Sequence, residues 1–308
     1  MISSSRTPAI AWGCLAAFTW GLTGTFIKLL PSFTTLEVLS IRILIALSAT
    51  LIIFLARPSL LAESLALIRK PSGALLSSLM VLYYLFAVRA FQLAPVSDVT
   101  LMVGLSPLVG LAFKVKTGKP LVPAEIGGAL TAFVGLVLFV LPKLQGISGE
   151  RTTYLMGLLF ALLAACVSLG YAALFKQYAA RHAELNPVVV ACTTFAVGSA
   201  VIAPIAITAS PTLLARVLQP ESLKIALGLG IVSTVVPTFC YSYAAKHLPP
   251  ILTTTLNLLV PIFASGLAFL LLGETIPPIS VGGALLILVG IVVLSSAKPK
   301  AAKPAPPS

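Results

Sequence analysis

Charge is what this sequence most lacks. Aspartate, glutamate, lysine and arginine supply 9% of its 308 residues, and hydrophobic types supply 58%. A soluble globular chain carries about 25% charged residues, so an ordinary water-solvated domain is excluded. The eight acidic residues (Glu37, Glu63, Asp98, Glu125, Glu150, Glu184, Glu221 and Glu274) are scattered and form no paired-carboxylate constellation. The two histidines, His182 and His247, have no partner ligands nearby in sequence. Cys14, Cys166, Cys192 and Cys240 show neither metal spacing nor a disulfide framework. Each lies in an apolar run, where cysteine acts as a small hydrophobe. No metal or other cofactor is expected. An intramembrane enzyme acting on lipid would need a nucleophile with a base, a metal cluster or paired acids, and none is legible. The phosphate-cradling loop G-x-x-x-x-G-K-[ST] is missing too, so nothing here predicts an ATP-driven pump. Finally, the short alternating segments of about ten residues that build a membrane β-barrel are lacking.

What is present is long apolar runs. Ten of them, at about 9–30, 34–56, 72–92, 95–116, 122–142, 153–178, 187–208, 222–245, 249–272 and 279–297, reach the length of about 20 residues that a helix needs to cross the hydrocarbon. Within lipid the backbone must satisfy its own hydrogen bonds, so such runs are helices. The predicted fold is an all-α integral membrane protein with ten transmembrane helices and short connectors, leaving no room for a soluble catalytic domain. The first run has one upstream Arg6 and no clear small-residue cleavage site before Lys28, which reads as an uncleaved anchor. The tail KPKAAKPAPPS (298–308) reads as a disordered basic segment.

The formal net charge is +12. With a cytoplasmic N-terminus, Arg6, Arg57, Arg69, Lys70, Lys114, Lys116, Lys119, Lys176, Arg181, Lys246, Lys298, Lys300 and Lys303 fall on the inner side. Lys28, Arg89, Lys143, Arg151, Arg216 and Lys224 fall outside, and Arg42 lies within a run. That asymmetry follows the positive-inside bias and predicts both termini in the cytoplasm of a bacterial-type inner membrane. The basic charge then serves topology and contact with anionic lipid. Nucleic acid is not an expected partner, because no basic cluster is interleaved with exposed aromatics.

The chain also repeats itself. LAPVSDVTLMVGLSPLVG (93–110) and LPPILTTTLNLLVPIFASG (248–266) align at an offset of 154, which puts Pro95 on Pro249, Thr100 on Thr254 and Pro107 on Pro261. At an offset of 155, Gly118 falls on Gly273, Pro123 on Pro278, IGGAL (126–130) on VGGAL (281–285) and Gly135 on Gly290. The halves are 1–147 and 148–297, each a unit of five helices. Five is odd, so the second copy enters the membrane from the opposite side, which is the inverted repeat of alternating-access transporters. A passive scaffold has no need of such symmetry.

In LSPLVG (105–110), LVPIFASGLAFLLLGETI (259–276) and VGGALLILVGIVVL (281–294) the chain resembles the ten-helix EamA-type exporters of the drug/metabolite transporter superfamily. Within that superfamily it is most similar to the bacterial aromatic amino-acid exporters of the YddG group. The resemblance covers essentially the whole chain and implies a 5+5 fold and export of amino acids or related metabolites. One departure stands out. Where the family has Gly-Glu after the fourth helix of each half, this chain has Gly273-Glu274 in the second and Gly118-Lys119 in the first.

Pro107 and Pro261 lie near the middle of the fourth and ninth expected spans, and Pro237 lies inside the eighth. Each frees a carbonyl four residues earlier, at Val103, Ser233 and Asn257. They read either as static kinks or as hinges whose loosened backbone faces a watery path. Candidate substrate contacts lie nearby: Trp20, Tyr83, Tyr84, Thr100, Tyr171, Tyr241 and Asn257. Each has a plainer reading. Threonine often bonds its own helix, and tyrosine and tryptophan populate interfacial belts. Asn257 is the strongest of the set, because an amide deep in lipid needs a partner. Asp98 falls in the first turn of its run, where the helix dipole favours an anion. Glu37 and Arg42 are five apart, about 140° around a helix, so they do not pair locally. Arg42 is predicted to reach the outer interface or a neighbouring helix.

No cluster of arginines or lysines occurs at mid-depth, which disfavours phosphorylated substrates. Neutral or aromatic amino acids, or other metabolites of low net charge, are the expected cargo. No mid-depth carboxylate is there to carry a proton, which favours facilitated diffusion or exchange. Ten helices suffice for a complete pathway, so a monomer is expected.

Overall fold

The computed structural model describes residues 6–116, 121–146, 151–181, 186–248 and 256–296. Helices fill them: α1 (Arg6–Lys28), α2 (Thr35–Ala56), α3 (Pro58–Ile68), α4 (Pro71–Leu93), α5 (Val96–Val103), α6 (Ser106–Lys116) and α7 (Pro123–Gly146). There follow α8 (Arg151–Arg181), α9 (Pro187–Ala209), α10 (Leu213–Val217), α11 (Pro220–Leu227), a π-helical segment (Gly228–Val235), α12 (Val236–His247), α13 (Leu259–Leu272) and α14 (Pro278–Ser296). Among the described residues, eight helical stretches are long and apolar enough to cross a membrane. Pro58–Ile68, Leu259–Leu272 and Pro278–Val293 are shorter apolar helices. Every one of the ten expected runs carries helix. The short α3 was not foreseen, because it occupies the connector between the second and third runs. Gly118, Lys119, His182, Pro249, Thr254 and the tail 298–308 lie outside the described residues.

Local chemistry explains the helix starts. Thr34 closes a capping box on α2: its hydroxyl accepts the Glu37 N–H at 3.4 Å, and the Glu37 carboxylate accepts the Thr34 N–H at 2.7 Å. Helices α3, α4, α9 and α11 all begin with proline, which is harmless there because the first-turn N–H groups have no intrahelical acceptor. Helix α13 ends on Gly273, whose φ of 69° is the left-handed conformation that a C-terminal turn needs.

The same reasoning revises the picture of mid-span kinks. The fourth span is two helices, α5 and α6, separated by a turn at Gly104–Leu105, and Pro107 is the second residue of the new helix. The ninth span is interrupted at Leu258, which the 154-residue offset places on Gly104, and Pro261 is the third residue of α13. Pro237 is the second residue of α12, after the π-helical segment. Each proline therefore sits in the first turn after an irregularity. At the first of these breaks, the carbonyl of Val103 accepts the Ser106 hydroxyl at 3.0 Å.

The chain divides into two compact units: Met1–Ser106 with Gly149–Thr275, and Pro107–Ser148 with Ile276–Ser308. Neither is a half of the sequence. Each takes corresponding parts of both halves.

In the larger unit the neighbour relations survive exchange of the halves. The first span (α1) packs on α13 of the ninth, and the sixth (α8) packs on α5 of the fourth. The third span (α4) packs on α8, and the eighth (the π-helical segment and α12) packs on α1. The second span (α2) meets the π-helical segment, as the seventh (α9) meets α4. Helices α2 and α9, themselves equivalents, pack on each other. Buried apolar side chains seal these contacts, among them Leu39, Ile43, Phe195 and Val235 in one cluster and Phe54, Leu76, Val189 and Val190 in another.

In the smaller unit α7 packs on α14 through glycines. A Cβ on Gly135 would lie 2.7 Å from the Gly283 carbonyl oxygen, and one on Gly290 would lie 2.6 Å from that of Gly128. At an offset of 155, Gly128 corresponds to Gly283 and Gly135 to Gly290. The contact is therefore reciprocal, as in a two-fold interface. The early glycine of each helix meets the late one of the other, so the two equivalent helices run antiparallel.

Candidate functional site

The candidate site lies in the larger unit and is organised by the π-helical segment. Its wider turn is visible at two points: the Val236 N–H bonds the carbonyl of Ile231, and the Thr234 hydroxyl bonds that of Leu229 at 2.7 Å, both five residues back. Such bulges displace the following side chains from regular α register and recur at functional sites. Gly230 lets α2 approach closely, since a Cβ there would lie 2.5 Å from Ile45 Cγ2 and 3.3 Å from the Arg42 carbonyl oxygen.

That approach brings Arg42 of α2 to the segment. Its Nε donates to Thr234 Oγ1 at 2.8 Å, and its Cζ stands 4.3 Å above the centre of the Tyr84 ring. Tyr83 and Tyr84 of α4 are 5.6 Å apart, ring centre to ring centre. Tyr171 of α8 lies within electrostatic reach of Tyr84 and packs its ring on Phe175 at 6.0 Å. Arg42 is 3% exposed. It reaches a neighbouring helix, and the local pairing with Glu37 that the helical spacing disfavours is not made. Glu37 instead pairs with Arg216.

A second group gathers beside the same segment. Trp20 of α1 meets Tyr241 of α12 at 5.3 Å, and the Asn257 side chain lies near the Tyr241 hydroxyl. Thr23, one turn beyond Trp20, points its hydroxyl at the Ser233 carbonyl at 3.5 Å. Ser233 lies four residues before Pro237, within the π-helical segment.

The candidates drawn from the sequence thus fall into two sets, Trp20–Tyr241–Asn257 and Tyr83–Tyr84–Tyr171. Thr100 belongs to neither. It is buried in α5 and donates to its own helix, to the carbonyls of Val96 at 2.8 Å and Ser97 at 3.1 Å. Sequence reading missed Arg42 and Thr234 as site residues. The signal for Arg42 was available, because a basic residue inside an apolar run points to function by default. Thr234 was illegible without the π register.

The anionic side chains are engaged elsewhere. Asp98, fully buried, accepts the Tyr154 hydroxyl and the Ser97 hydroxyl, each at 2.8 Å. Glu274 accepts the Val96 N–H. Lys28 lies within electrostatic reach of both carboxylates. Among the described residues no group of three or more histidine, cysteine, aspartate or glutamate side chains is placed to hold a metal ion.

The sequence profile of the EamA-like transporter family matches residues 7–141 and again residues 155–296. This chain belongs to the EamA-like transporter family. The family is a two-repeat membrane fold, and the two matched stretches fall one in each half. An uncharacterized transporter from Clostridium kluyveri is 30% identical over 175 residues, covering 56% of this chain and 54% of that protein. The aligned stretch thus spans about half the length of this curated relative. A crystal structure described only as that of a protein has a TM-score of 0.61 at 20% identity, with 95% of this chain and 98% of that chain covered. At that identity the likeness concerns the fold alone. The EamA membership and the long apolar helices make this chain a multi-pass membrane protein of the drug/metabolite transporter superfamily.

Proposed function

We propose that this protein is a secondary transporter that moves neutral or aromatic amino acids, or metabolites of similarly low net charge, across a bacterial-type inner membrane by alternating access. The observation that carries this reading is the gathering of aromatic faces with hydrogen-bonding ends around one π-helical segment. Trp20 and Tyr241 meet at the helices flanking it, and Tyr84 carries on its ring the Arg42 that bonds Thr234 within it. Aromatic walls with a few convergent polar groups suit a bulky apolar side chain joined to a compact polar head. A phosphate would call for several clustered cations, and among the described residues gathered here Arg42 is the one cation.

The mechanism proposed is exchange of conformation between two inverted halves. The antiparallel crossing of the equivalent helices α7 and α14, and neighbour relations preserved when the halves are interchanged, both support it. On this reading both termini are cytoplasmic, the transported molecule is not chemically altered, and one chain forms the pathway. The acidic groups Asp98 and Glu274 are engaged in hydrogen bonds at helix ends, which supports facilitated diffusion or exchange without an obligatory proton.

Uptake of labelled amino acids by liposomes containing the purified chain tests the proposal, with phosphorylated metabolites as the contrast. Saturable uptake of phenylalanine or tyrosine, competed by other neutral amino acids and unaffected by collapse of a proton gradient, is the expected result. Preference for the phosphates would overturn the substrate assignment.

A further inference from the structure

We infer that Arg42 is a receptor for a substrate carboxylate, so that this transporter selects molecules bearing a free carboxylate beside an apolar or aromatic group. The inference deepens the transport reading and rests on it for the location of the site, but not for amino acids as the cargo.

The guanidinium is buried, about 10 Å along α2 from its first residue, in a chain that crosses lipid. A buried cation without an anion is among the least favourable arrangements a protein can hold. Yet the charges around Arg42 do not neutralise it. Among the described residues no carboxylate forms an ion pair with it: the ion pairs are Lys114–Glu125, Arg216–Glu37 and Lys224–Glu221. Glu37, the acidic residue nearest in sequence, is held by Arg216 and by its cap on Thr34. Asp98 and Glu274 are engaged by Tyr154, Ser97 and the Val96 N–H.

The contacts Arg42 does make leave Nη1 and Nη2 without an acceptor among the described residues. Nε is spent on Thr234, and the flat face lies over Tyr84. These two contacts fix the plane of the guanidinium and its rotation, as a receptor requires, because a preset fork loses less freedom on binding. No described residue accepts a hydrogen bond from Nη1 or Nη2. Neither atom is among the sealed polar atoms without a partner, a set that includes Thr25 Oγ1 and Ser40 Oγ. Paired N–H donors in one plane match the two oxygens of a carboxylate. Tyr83 and Tyr84 beside the fork offer rings to the adjoining apolar group.

The test uses the full chain in detergent and in liposomes with three probes: phenylalanine, phenylalaninamide, which lacks the carboxylate, and 3-phenylpropionate, which lacks the ammonium. Binding is followed by tryptophan fluorescence and transport by counterflow. The wild-type chain is expected to bind phenylalanine and 3-phenylpropionate at least about tenfold more tightly than the amide, since charge-assisted hydrogen bonds set that scale. Arg42→Gln is expected to lose about tenfold to hundredfold for the two carboxylates and little for the amide. Arg42→Lys, which keeps the charge but not the fork, falls between them. Should Arg42→Gln fail to run as a folded species on size exclusion, wild-type discrimination among the three probes decides alone. Equal affinity for amide and carboxylates overturns the inference. So does carboxylate binding that survives Arg42→Gln, or failure of both carboxylates to bind. If the carboxylates bind through Arg42 while labelled amino acids are not transported, the amino-acid reading fails and the receptor stands.

Discussion

Both oxygens of the Glu274 carboxylate accept the backbone N–H of Val96, at 3.0 and 2.9 Å. The contact ties the end of the ninth span to the start of the fourth, one from each half of the chain. Gly273 makes it possible: its left-handed turn ends α13 and is followed by a bond from the Glu274 N–H to the carbonyl of Ala268 at 3.2 Å. The pair Gly273-Glu274 is thus a turn followed by a cap for another helix, set where the positive end of the α5 dipole favours an anion. Replacing Glu274 with alanine removes a charged hydrogen bond and should cost about 1.5–3 kcal/mol. Replacement with glutamine, which keeps an acceptor, should cost less. Thermal unfolding in detergent measures both, and equal melting of Glu274→Ala and wild type would show that the cap contributes nothing.

Asp98 supplies a second tie at the same helix start, because Tyr154 of α8 donates to it from a nearly buried position. Tyr154→Phe removes the hydroxyl and keeps the ring. Loss of this one hydrogen bond to a charged acceptor is expected to cost about 1.5–3 kcal/mol. In a double-mutant cycle with Asp98→Asn the two effects should be non-additive, since the groups share one bond. Additive losses would mean that the two side chains act independently.

How much of this was legible beforehand depended on which interactions decide each feature. Lipid forces a helix on any long apolar run, so the spans could be read directly, and the prolines and glycines that align the halves could be matched by position. Gly128, Gly135, Gly283 and Gly290 were visible as a repeat, and their meaning as a reciprocal contact emerged only from the packing of α7 on α14. The compact units were not legible. They are set by which spans touch, and contacts join parts of both halves where the sequence divides simply in the middle. At the site, aromatic and amide residues could be singled out by type. Arg42 could be expected to reach a neighbouring helix, but its partner Thr234 could not be read, because that contact depends on Gly230 and on a π turn that composition does not encode.

The glycine contact gives a sharp expectation. A Cβ at Gly135 would approach the Gly283 carbonyl oxygen and the Ile287 nitrogen, both at 2.7 Å. Both are backbone atoms that no rotamer change can move. Gly135→Ala should therefore force α7 and α14 apart and cost about 1–3 kcal/mol, the usual range for overpacking. Gly127, where an added methyl would meet nothing within 4 Å, is the control: Gly127→Ala should be neutral or slightly stabilising, because alanine is the better helix former by about 1 kcal/mol. Melting temperatures of the two variants decide the matter, and similar losses at both positions would refute the close approach.

Pro261 tests the moving parts. It occupies the third position of α13, just after the interruption at Leu258, where its missing N–H has no helical acceptor to disappoint. Alanine at this position restores a donor and removes the ring, so the helix is free to extend back through Leu258 towards Asn257. If the interruption is a joint used in each transport cycle, straightening it should slow exchange severalfold while leaving expression, melting temperature and substrate affinity near wild type. The same change at Pro237 should act differently. There the π turn positions Thr234 against Arg42, so restored α register would rotate that hydroxyl away and weaken binding as well as turnover. Counterflow rates and binding constants for the two variants separate these outcomes. A Pro261→Ala protein that exchanges substrate at the wild-type rate would make the interruption a packing feature and remove the hinge.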